Sequence, residues 1–521
     1  MASDLDFIFK PCSVAIIGAS PDPAKWGNWM SKSALESAYK GNIYLVSAKG
    51  GVVCGREAYH TISDIESPVD LAIICTPSRF VPEIVGDCVK KGVKGAVVQT
   101  AGFAEIGEEG KNLEKELLEI VRSGGIRLVG PNCMGIFDSF SNICTVMVPV
   151  PKGSFAFFTQ SGGLGEEAFY ITRKRGLGFS KYVSLGNQID LLFHECLDYV
   201  KDDPDTKVIL LYMEGLKEGR EFLRIAEEIT RSKPVVAIKG GTSSAGIRSA
   251  ASHTASLAGS NEVYDGAFKQ AGIIRVGDLD ELLGVAEALS KCPLPKGNRM
   301  AILSDGGGLA LLAADTAEKY NLKVPLLSME TQEKLSQFLP PIASRNNPVD
   351  NAADPDVWHY FKCAEALLQD KNIDGLLCVG EFLCYYDCLI GPEFRSQAQE
   401  VSGRIGQLVG EYNKPIIFQI RHPWGDKVTA VDILVEQGIP VYDGSEKAVR
   451  AMSALVEYKE YLDRCKENEG KPISLSPDRV GKVKAIIGEV KKAGRVNLLE
   501  TEAREILKAY SLPMSDFKLA R

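Results

Sequence analysis

Short apolar runs alternate along most of the chain with longer segments of helical periodicity. A first series lies between Val14 and Val129, and a second ends near Leu289. The strand candidates of the first are VAIIG, NIYLV, DLAIIC, GAVVQ and IRLVG, and those of the second are SFAFF, KYV, KVILLY, PVVAI and GIIRV. Such alternation is typical of βαβ units and parallel sheets. It predicts an α/β protein whose first domain is doubly wound and Rossmann-like.

A third series starts at Met300 with MAILS and continues through NLKVPLL, GLLCVG, KPIIFQI and IPVY to a helix near Tyr461. The connection KCPLPKGN separates it from the second series. Lysine- and glutamate-rich sequence then predicts a solvated linker, and one amphipathic helix follows that cannot form a core alone. The predicted segments are 1–130, 131–291, 298–461, the linker 462–495 and the terminal helix 496–521.

An internal repeat links the second and third series. The segment FTQSGGL from Phe158 matches LSDGGGL from Leu303, and at the same offset Lys174 and Leu177 match Lys319 and Leu322. Both copies read as one strand, a glycine turn and a helix. The repeat predicts two flavodoxin-like domains, each with a glycine-rich helix N-terminus at the carboxyl end of its first strand.

Length, charge and cysteine usage exclude several classes of protein. A chain of 521 residues is long enough for three or four domains. With 60 Lys and Arg against 68 Asp and Glu, the net charge of −8 lacks the signature of a nucleic-acid binder. The N-terminus lacks the positive charge of a signal peptide and no apolar run is long enough to span a membrane, so a cytoplasmic protein is expected.

The 13 cysteines are scattered singly, as buried reduced thiols usually are. The close pair Cys384 and Cys388 has no second cysteine pair and no histidine at zinc-ligand spacing nearby. Ordinary packing is therefore the preferred interpretation, and no metal site is predicted.

Gly18, Ala19 and Ser20 follow the first strand, where a glycine lets the backbone approach a diphosphate and the next helix N-terminus favours negative charge. The turn GASPDPAKWGN is not G-x-G-x-x-G, and Lys49 and Gly50 stand after the second strand in place of an acidic residue. Dinucleotide binding is therefore disfavoured. Lys25, Lys49 and Arg56 could contact phosphates, so the loop indicates a nucleotide-like ligand.

The two glycine turns contain Ser161, Gly162, Gly163, Gly307 and Gly308. Each offers free N–H groups and a positive helix end, so two that converge could hold a phosphoryl group, although tight turns alone would explain either one. Of five histidines, His253 lies in a run of small residues that predicts an accessible loop. A histidine nitrogen can accept a phosphoryl group when a carboxylate holds its other nitrogen. Glu214, directly after the strand VILLYM, is a candidate for that carboxylate or an ordinary helix-start residue.

An ordered series of motifs carries a resemblance over nearly the whole chain. The motifs are IIGAS from Ile16, AGFAEIGEEG from Ala101, GPNCMG from Gly130, QSGGLG from Gln160, SLGN from Ser184, MEG from Met213, SHTASLAG from Ser252 and NPVD from Asn347. The chain resembles the NDP-forming acyl-CoA synthetases, the ADP-forming acetyl-CoA synthetase branch of the succinyl-CoA synthetase superfamily.

The resemblance implies a three-step ligase for a short-chain acid. Phosphate attacks an acyl-CoA to give acyl phosphate and CoA, a histidine takes the phosphoryl group, and its loop carries the group to an ATP-grasp domain that binds ADP, ATP and Mg²⁺. His253 falls on the phosphorylated histidine, Glu214 on the glutamate that steadies it, and the two glycine turns on the helix N-termini that cradle it. Gly18, Ala19, Ser20, Lys25 and Lys49 would lie near CoA, with Asn132 at the thioester end. Members commonly form oligomers.

Two departures from the family pattern bear on this interpretation. The stretch after the second strand usually reads NPKG and here reads SAKG from Ser47, which alters expected CoA contacts. The tail from Asn497 resembles the opening helix of an ATP-grasp domain whose remainder is not in this sequence. A piece of a longer fused enzyme is the favoured explanation, and a separate ATP-grasp polypeptide is the other. A non-catalytic CoA-binding module and an NAD-dependent oxidoreductase are the competing functions.

Overall fold

The computed structural model describes residues 5–248, 260–381, 392–420, 428–468 and 477–515. The chain divides into two compact units, Met1–Leu462 and Asp463–Arg521. The described residues of the first unit form three large sheets of mainly parallel strands, which confirms the predicted α/β class. Within the described ranges, no helix is long and apolar enough to cross a membrane.

The first sheet has strand order β2-β1-β5-β6-β7, and every pair in it is parallel. Its strands coincide with the five runs predicted from the sequence. They are β1 (Ser13–Ile17), β2 (Asn42–Val46), β5 (Leu71–Ile74), β6 (Gly95–Val98) and β7 (Arg127–Val129), and a small hairpin of β3 (Val52–Val53) and β4 (Arg56–Glu57) follows β2. The helices are α1 (Asp6–Phe9), α2 (Trp26–Glu36), α3 (Val81–Lys91) and α4 (Glu108–Gly124). Because β1 and β5 are buried along their whole length, they read as continuous apolar runs.

The second sheet has the order β13-β12-β11-β9-β10-β8. Its strands are β8 (Ile136–Asp138), β9 (Lys152–Thr159), β10 (Phe179–Ser184), β11 (Val208–Met213), β12 (Val235–Lys239) and β13 (Ile273–Val276). Its helices are α5 (Gly162–Lys174), α6 (Phe193–Val200), α7 (Gly219–Ile229), α8 (Asn261–Ala271) and α9 (Leu279–Lys291). All pairs are parallel except the edge strand β8, which runs antiparallel to β10 and was not predicted.

The third sheet has the order β15-β14-β16-β17-β18 and is fully parallel. Its strands are β14 (Met300–Ser304), β15 (Val349–Asp350), β16 (Gly375–Val379), β17 (Ile416–Gln419) and β18 (Val441–Tyr442). Its helices are α10 (Gly307–Lys319), α11 (Met329–Ser336), α12 (Val357–Gln369), α13 (Pro392–Tyr412), α14 (Thr429–Glu436) and α15 (Ser445–Asn468).

The prediction of a strand at NLKVPLL is wrong. Lys323 makes one isolated bridge to Arg299, and the edge position beside β14 belongs to β15. Pro325 lies within the run, and a proline cannot donate to a strand ladder. The short β15 contains Val349 and Asp350 of the NPVD motif.

Helix α9 joins the second and third sheets into one unit. The Tyr442 hydroxyl at the end of β18 donates to the Gly284 carbonyl at 2.7 Å, and Arg450 Nε on α15 lies 2.6 Å from Glu281 Oε1. The hydroxyls of Tyr461 and Thr230 are 2.8 Å apart. Helix α15 therefore connects the third sheet to elements of the second.

The second unit contains α16 (Pro477–Lys492) and α17 (Glu500–Ala509). The linker expected over 462–495 is thus partly helical, because Val480, Val483, Ile487 and Val490 recur at helical spacing despite the surrounding charge. Arg495 donates to both carboxylate oxygens of Glu502 at 2.9 and 2.6 Å. No residue of α17 is buried, in agreement with a helix that forms no core alone.

Candidate functional site

The repeat is reproduced in three dimensions at the carboxyl ends of β9 and β14. Thr159 Oγ1 accepts from the Ser161 N–H at 3.0 Å and donates to the Ser161 carbonyl at 2.8 Å. Ser304 Oγ makes the same two bonds with the N–H and carbonyl of Gly306, at 3.1 and 2.9 Å. The predicted duplication is confirmed, and each copy closes its turn with a buried hydroxyl.

Each turn leads directly into a helix. Ser161 caps α5, and its Oγ accepts from Leu164 N at 3.4 Å. A Cβ built on Gly163 or Gly308 meets nothing within 4 Å, so the backbone at both helix starts faces open space. Gly162 is covered by Met134, whose Cγ would lie 1.8 Å from a Cβ there. Part of the N-terminus of both α5 and α10 is therefore open, and an open helix N-terminus favours an anion.

The two helix N-termini differ in charge. A Cβ on Gly307 would lie 2.9 Å from Asp350 Oδ2, so the Asp350 carboxylate lies against the first residue of α10. In the strand ladders Asp350 pairs with Ser304, while Ser184 pairs with Thr159. The first copy thus carries a neutral serine where the second carries a carboxylate. A phosphoryl group would be favoured more strongly at α5.

Glu214 lies at the carboxyl end of β11, as predicted, and is 6% exposed. Gln160 Oε1 accepts from the backbone N–H groups of Glu214 at 2.5 Å and Gly215 at 3.0 Å. The Tyr212 hydroxyl lies 3.3 Å from Glu214 Oε1, and Lys239 Nζ donates to the Glu214 carbonyl at 2.9 Å. These bonds fix the backbone that carries the carboxylate. His253 lies outside the described residues.

Glu381 is the counterpart of Glu214 in the second copy. Tyr212 pairs with Thr159 and Val379 with Ser304, so both glutamates stand two positions after equivalent strand residues. Asp305 Oδ2 accepts from the Glu381 N–H at 3.0 Å, as Gln160 accepts from Glu214. Glu381 was not among the site residues predicted from the sequence. A glutamate just after the apolar run GLLCV was the available signal.

The first two backbone N–H groups of the turn after β1 are bonded within the protein. The N–H groups of Gly18 and Ala19 both donate to the Val46 carbonyl at 3.0 Å, and Ala19 is buried. Asn28 Nδ2 donates to the Ser20 carbonyl at 2.9 Å. Gly18 and Ala19 can therefore offer close backbone approach, whereas hydrogen bonds to a ligand must come from other groups.

Gly27 was also missed, and it determines how closely α2 approaches this turn. A Cβ there would lie 1.9 Å from the Gly18 carbonyl oxygen, so only glycine fits. Lys25, the residue before α2, and Lys49, after β2, are both exposed. The start of α2 therefore lies beside the glycine turn, and a helix start favours a negatively charged group.

Asn132 has φ +59° and is half-buried. Its N–H donates to the Thr100 carbonyl at 2.9 Å, and its Nδ2 lies 3.4 Å from Asn187 Oδ1. The predicted CoA residues therefore fall into two groups, the turn after β1 with its lysines and the loop after β7.

Comparison with known proteins identifies two domains of the chain. Residues 12–138 match the model of a CoA binding domain, and residues 152–289 match that of a succinyl-CoA ligase like flavodoxin domain. The α subunit of the ADP-forming acetate–CoA ligase II of Pyrococcus furiosus is 42% identical over 457 residues, which cover 87% of this chain and 97% of the relative. The chain belongs to the family of ADP-forming acyl-CoA ligases.

Other members of this ligase family extend the comparison. The ADP-forming 4-hydroxybutyrate–CoA ligase of Nitrosopumilus maritimus is 32% identical over 522 residues, covering 99% of this chain and 72% of its own. The solved acetyl-coenzyme A synthetase 1 of Candidatus Korarchaeum cryptofilum, in complex with phosphate and ADP, aligns with a TM-score of 0.79 at 32% identity and covers 88% of this chain and 98% of its own. The predicted family and the combination of CoA-binding and flavodoxin-like domains are confirmed.

The cysteines of the described part have free thiols, and no group of three potential metal-ligating side chains occurs in the same ranges. Cys384 and Cys388 lie outside them. Burial raises the pKa of the Cys133 thiol, beside Asn132, to about 12, so this group stays protonated at neutral pH.

Proposed function

We propose that this ligase chain carries out the CoA-dependent half of the cycle, the interconversion of a short-chain acyl-CoA and phosphate with CoA, the free acid and phospho-His253. The observation that carries the proposal is the duplicated strand, turn and helix, with Glu214 held by Gln160 at the edge of the first copy. Membership of the ligase family supports it. The non-catalytic CoA-binding module gains no support from these observations.

The proposed chemistry has two transfers. A phosphate oxygen attacks the thioester carbonyl carbon, the C–S bond breaks, and CoA leaves as thiol after it takes up a proton. A ring nitrogen of His253 then attacks phosphorus, and the P–O bond to the acyl group breaks to release the carboxylate. Glu214 would hold the proton on the other ring nitrogen, which keeps the attacking nitrogen free and stabilises the cation that forms.

The glycine turns would bind the phosphoryl group during both transfers. Ser161, Gly162 and Gly163 present the N-terminus of α5, which we propose as the stronger site. Gly307 and Gly308 would contribute the weaker second one, because Asp350 already lies against α10.

CoA would lie along the first sheet. Lys25 and Lys49 would contact its phosphates, Gly18, Ala19 and Ser20 would allow the close approach, and Asn132 would lie near the thioester. We propose three domains, one for each large sheet, with the bounds 1–130, 131–291 and 298–461. We also propose a cytoplasmic location, because the cysteines of the described part have free thiols.

The second half of the cycle would need an ATP-grasp domain or subunit. That partner would bind ADP and Mg²⁺ and take the phosphoryl group from phospho-His253 to form ATP. The P. furiosus relative is named as an α subunit, whereas the N. maritimus relative is longer than the part matched here. We propose that this chain works with such a partner and in an oligomer.

Labelled phosphate tests the proposal. The chain is incubated at pH 8 with a panel of short-chain acyl-CoAs, and protein-bound label is measured before and after acid treatment, which removes phosphohistidine. The wild type should take up acid-labile label, His253→Ala none, and Glu214→Gln far less. His194→Gln on α6 is the matched control and should behave as wild type. No label in protein that binds CoA would instead indicate the non-catalytic CoA-binding module.

A further inference from the structure

Three of the ordered motifs contribute only one residue, Asn132, to the function proposed above. The structure brings these three motifs together. They are AGFAEIGEEG from Ala101, GPNCMG from Gly130 and SLGN from Ser184. The first two belong to the first sheet and its connections, and the third follows β10 of the second sheet. Their meeting point is Asn187, which is 8% exposed.

Asn187 belongs to the third motif and contacts the other two through its backbone and its side chain. Its N–H donates to the Pro131 carbonyl at 3.0 Å, and its Oδ1 lies 3.4 Å from Asn132 Nδ2. Its Nδ2 lies 2.8 Å from Glu105 Oε2 and 2.8 Å from Glu114 Oε2. One amide group therefore holds Asn132 on one side and two carboxylates on the other.

The two carboxylates are fixed acceptors. Glu105 Oε1 accepts from the N–H groups of Gly102 at 2.6 Å and Phe103 at 3.1 Å, and Glu114 Oε2 accepts from Ala104 N at 3.3 Å. Burial acts to raise the pKa of Glu105, but hydrogen bonds from Asn187, Gly102 and Phe103 outweigh it and hold this pKa below its usual range. The Asn187 amide has two donor hydrogens, one for each of these two carboxylates.

The same loop is tied to the segment that carries Glu214. Lys217, three residues after Glu214, donates through Nζ to the Gln188 carbonyl at 2.6 Å and the Asn187 carbonyl at 3.2 Å. Gly186 has φ +53°, and a Cβ there would lie 2.4 Å from the Asn132 carbonyl oxygen. The loop after β10 thus lies in contact with both the Asn132 loop and the Lys217 side chain.

We propose that Asn187 is a positioning residue for the first transfer, resting on the function proposed above. It orients Asn132 at the thioester end of the CoA site. It also fixes the position of the loop after β7 relative to the segment that carries Glu214. Its loss would misplace the thioester relative to phosphate without removing the lysines and turn that bind CoA. The signature is a lower maximal rate with a nearly unchanged KM for acyl-CoA, because small misplacements cost up to about 100-fold in rate.

The experiment measures the rate of phospho-His253 formation against acyl-CoA concentration. Asn187→Ala should lower the maximal rate by about 10- to 100-fold and leave the KM within about threefold. Lys25→Ala should mainly raise the KM, and Asn372→Ala, an exposed asparagine after α12, should match wild type. Asn187→Asp places a third carboxylate beside Glu105 and Glu114, which raises the pKa of the new side chain. That variant should be slowest at pH 8.5 and recover toward pH 6, where the introduced carboxyl group is protonated and can donate again.

Thermal unfolding and CoA binding identify any variant that fails to fold. If the Asn187 variants fail to fold, Glu105→Gln replaces them, because it removes one acceptor oxygen from the other side of the contact. Glu105→Gln should likewise lower the maximal rate and leave the KM nearly unchanged. The role of Asn187 would be overturned if the wild type takes up label and Asn187→Ala forms phospho-His253 equally fast. It would also be overturned if Asn187→Ala changes only the KM for acyl-CoA. A wild type that takes up no label would overturn the proposed function itself.

Discussion

Gln160 holds Glu214 through the backbone, with its Oε1 2.5 Å from Glu214 N. The same oxygen accepts from Gly215 N, so one side chain fixes the two residues that begin the loop. Gln160→Ala should therefore leave two N–H groups without an acceptor and cost about 1–3 kcal/mol in the free energy of unfolding. It should also slow phospho-His253 formation by about tenfold, because the carboxylate loses its position.

Urea unfolding and single-turnover labelling check this prediction together. Gln407→Ala, an exposed glutamine on α13, is the matched control and should change neither quantity. A Gln160→Ala variant of lower stability but wild-type labelling rate would show that Glu214 does not depend on this contact for catalysis.

Asp350 should weaken phosphate binding at the N-terminus of α10. Asp350→Asn removes the negative charge beside Gly307 and should lower the KM for phosphate by about two- to fivefold, the factor equivalent to roughly 0.3–1 kcal/mol for a charge at a helix end. Asp315→Asn, an exposed position farther along α10, should leave that KM unchanged. An Asp350→Asn variant with an unchanged or higher KM would place phosphate away from α10.

Gly27 should be needed for tight CoA binding. In Gly27→Ala the new methyl group would lie 1.9 Å from the Gly18 carbonyl oxygen, so α2 must move away from the turn after β1. We expect the Kd for CoA, measured by calorimetry, to rise at least about tenfold, or about 1.4 kcal/mol, because the displaced helix and turn no longer meet the ligand in the same geometry.

Gly86→Ala is the control in the same domain. A Cβ at Gly86, within α3, meets nothing within 4 Å. This substitution should leave CoA binding intact and stabilise the helix by about 0.5–1 kcal/mol. Equal CoA affinity in both variants would exclude the turn after β1 from the CoA site.

Acid should weaken the contact between Glu105 and Asn187. Because the pKa of Glu105 is lower in the folded protein, its contribution to stability is complete above the unfolded pKa of about 4.3 and is lost as pH falls through the folded value. The difference in unfolding free energy between wild type and Glu105→Gln should be constant from pH 8 to pH 6 and shrink below about pH 4.5. Urea titrations at each pH measure it, and a difference that grows on acidification would contradict the assignment.

The strands of all three sheets were largely predictable because buried parallel strands read as continuous apolar runs. The run NLKVPLL is also largely apolar but contains Pro325. Strand propensity alone did not reveal that this run forms one isolated bridge and no strand ladder. The two-residue strand β15 exists only through its pairing with β14. Pairing between distant segments is what a single sequence does not contain.

The residues of the candidate site also divide into those that the sequence predicts and those that depend on contacts between distant segments. Ser161 to Gly163 and the second glycine turn were found because the repeat preserves their spacing. Glu381 was missed because its equivalence to Glu214 depends on ladder register, and Asn187 because its partners come from loops about 55 to 80 positions away. Donation from Gly18 and Ala19 to Val46 likewise depends on how two strands pair.

Intact-protein mass spectrometry at neutral pH, after incubation with a short-chain acyl-CoA and phosphate, tests the central claim most directly. The account predicts that wild type gains one phosphoryl group, that acid removes it, and that His253→Ala gains none. A wild type that binds CoA but gains no phosphoryl group with any acyl-CoA of the panel would contradict it, as would an equal gain in His253→Ala.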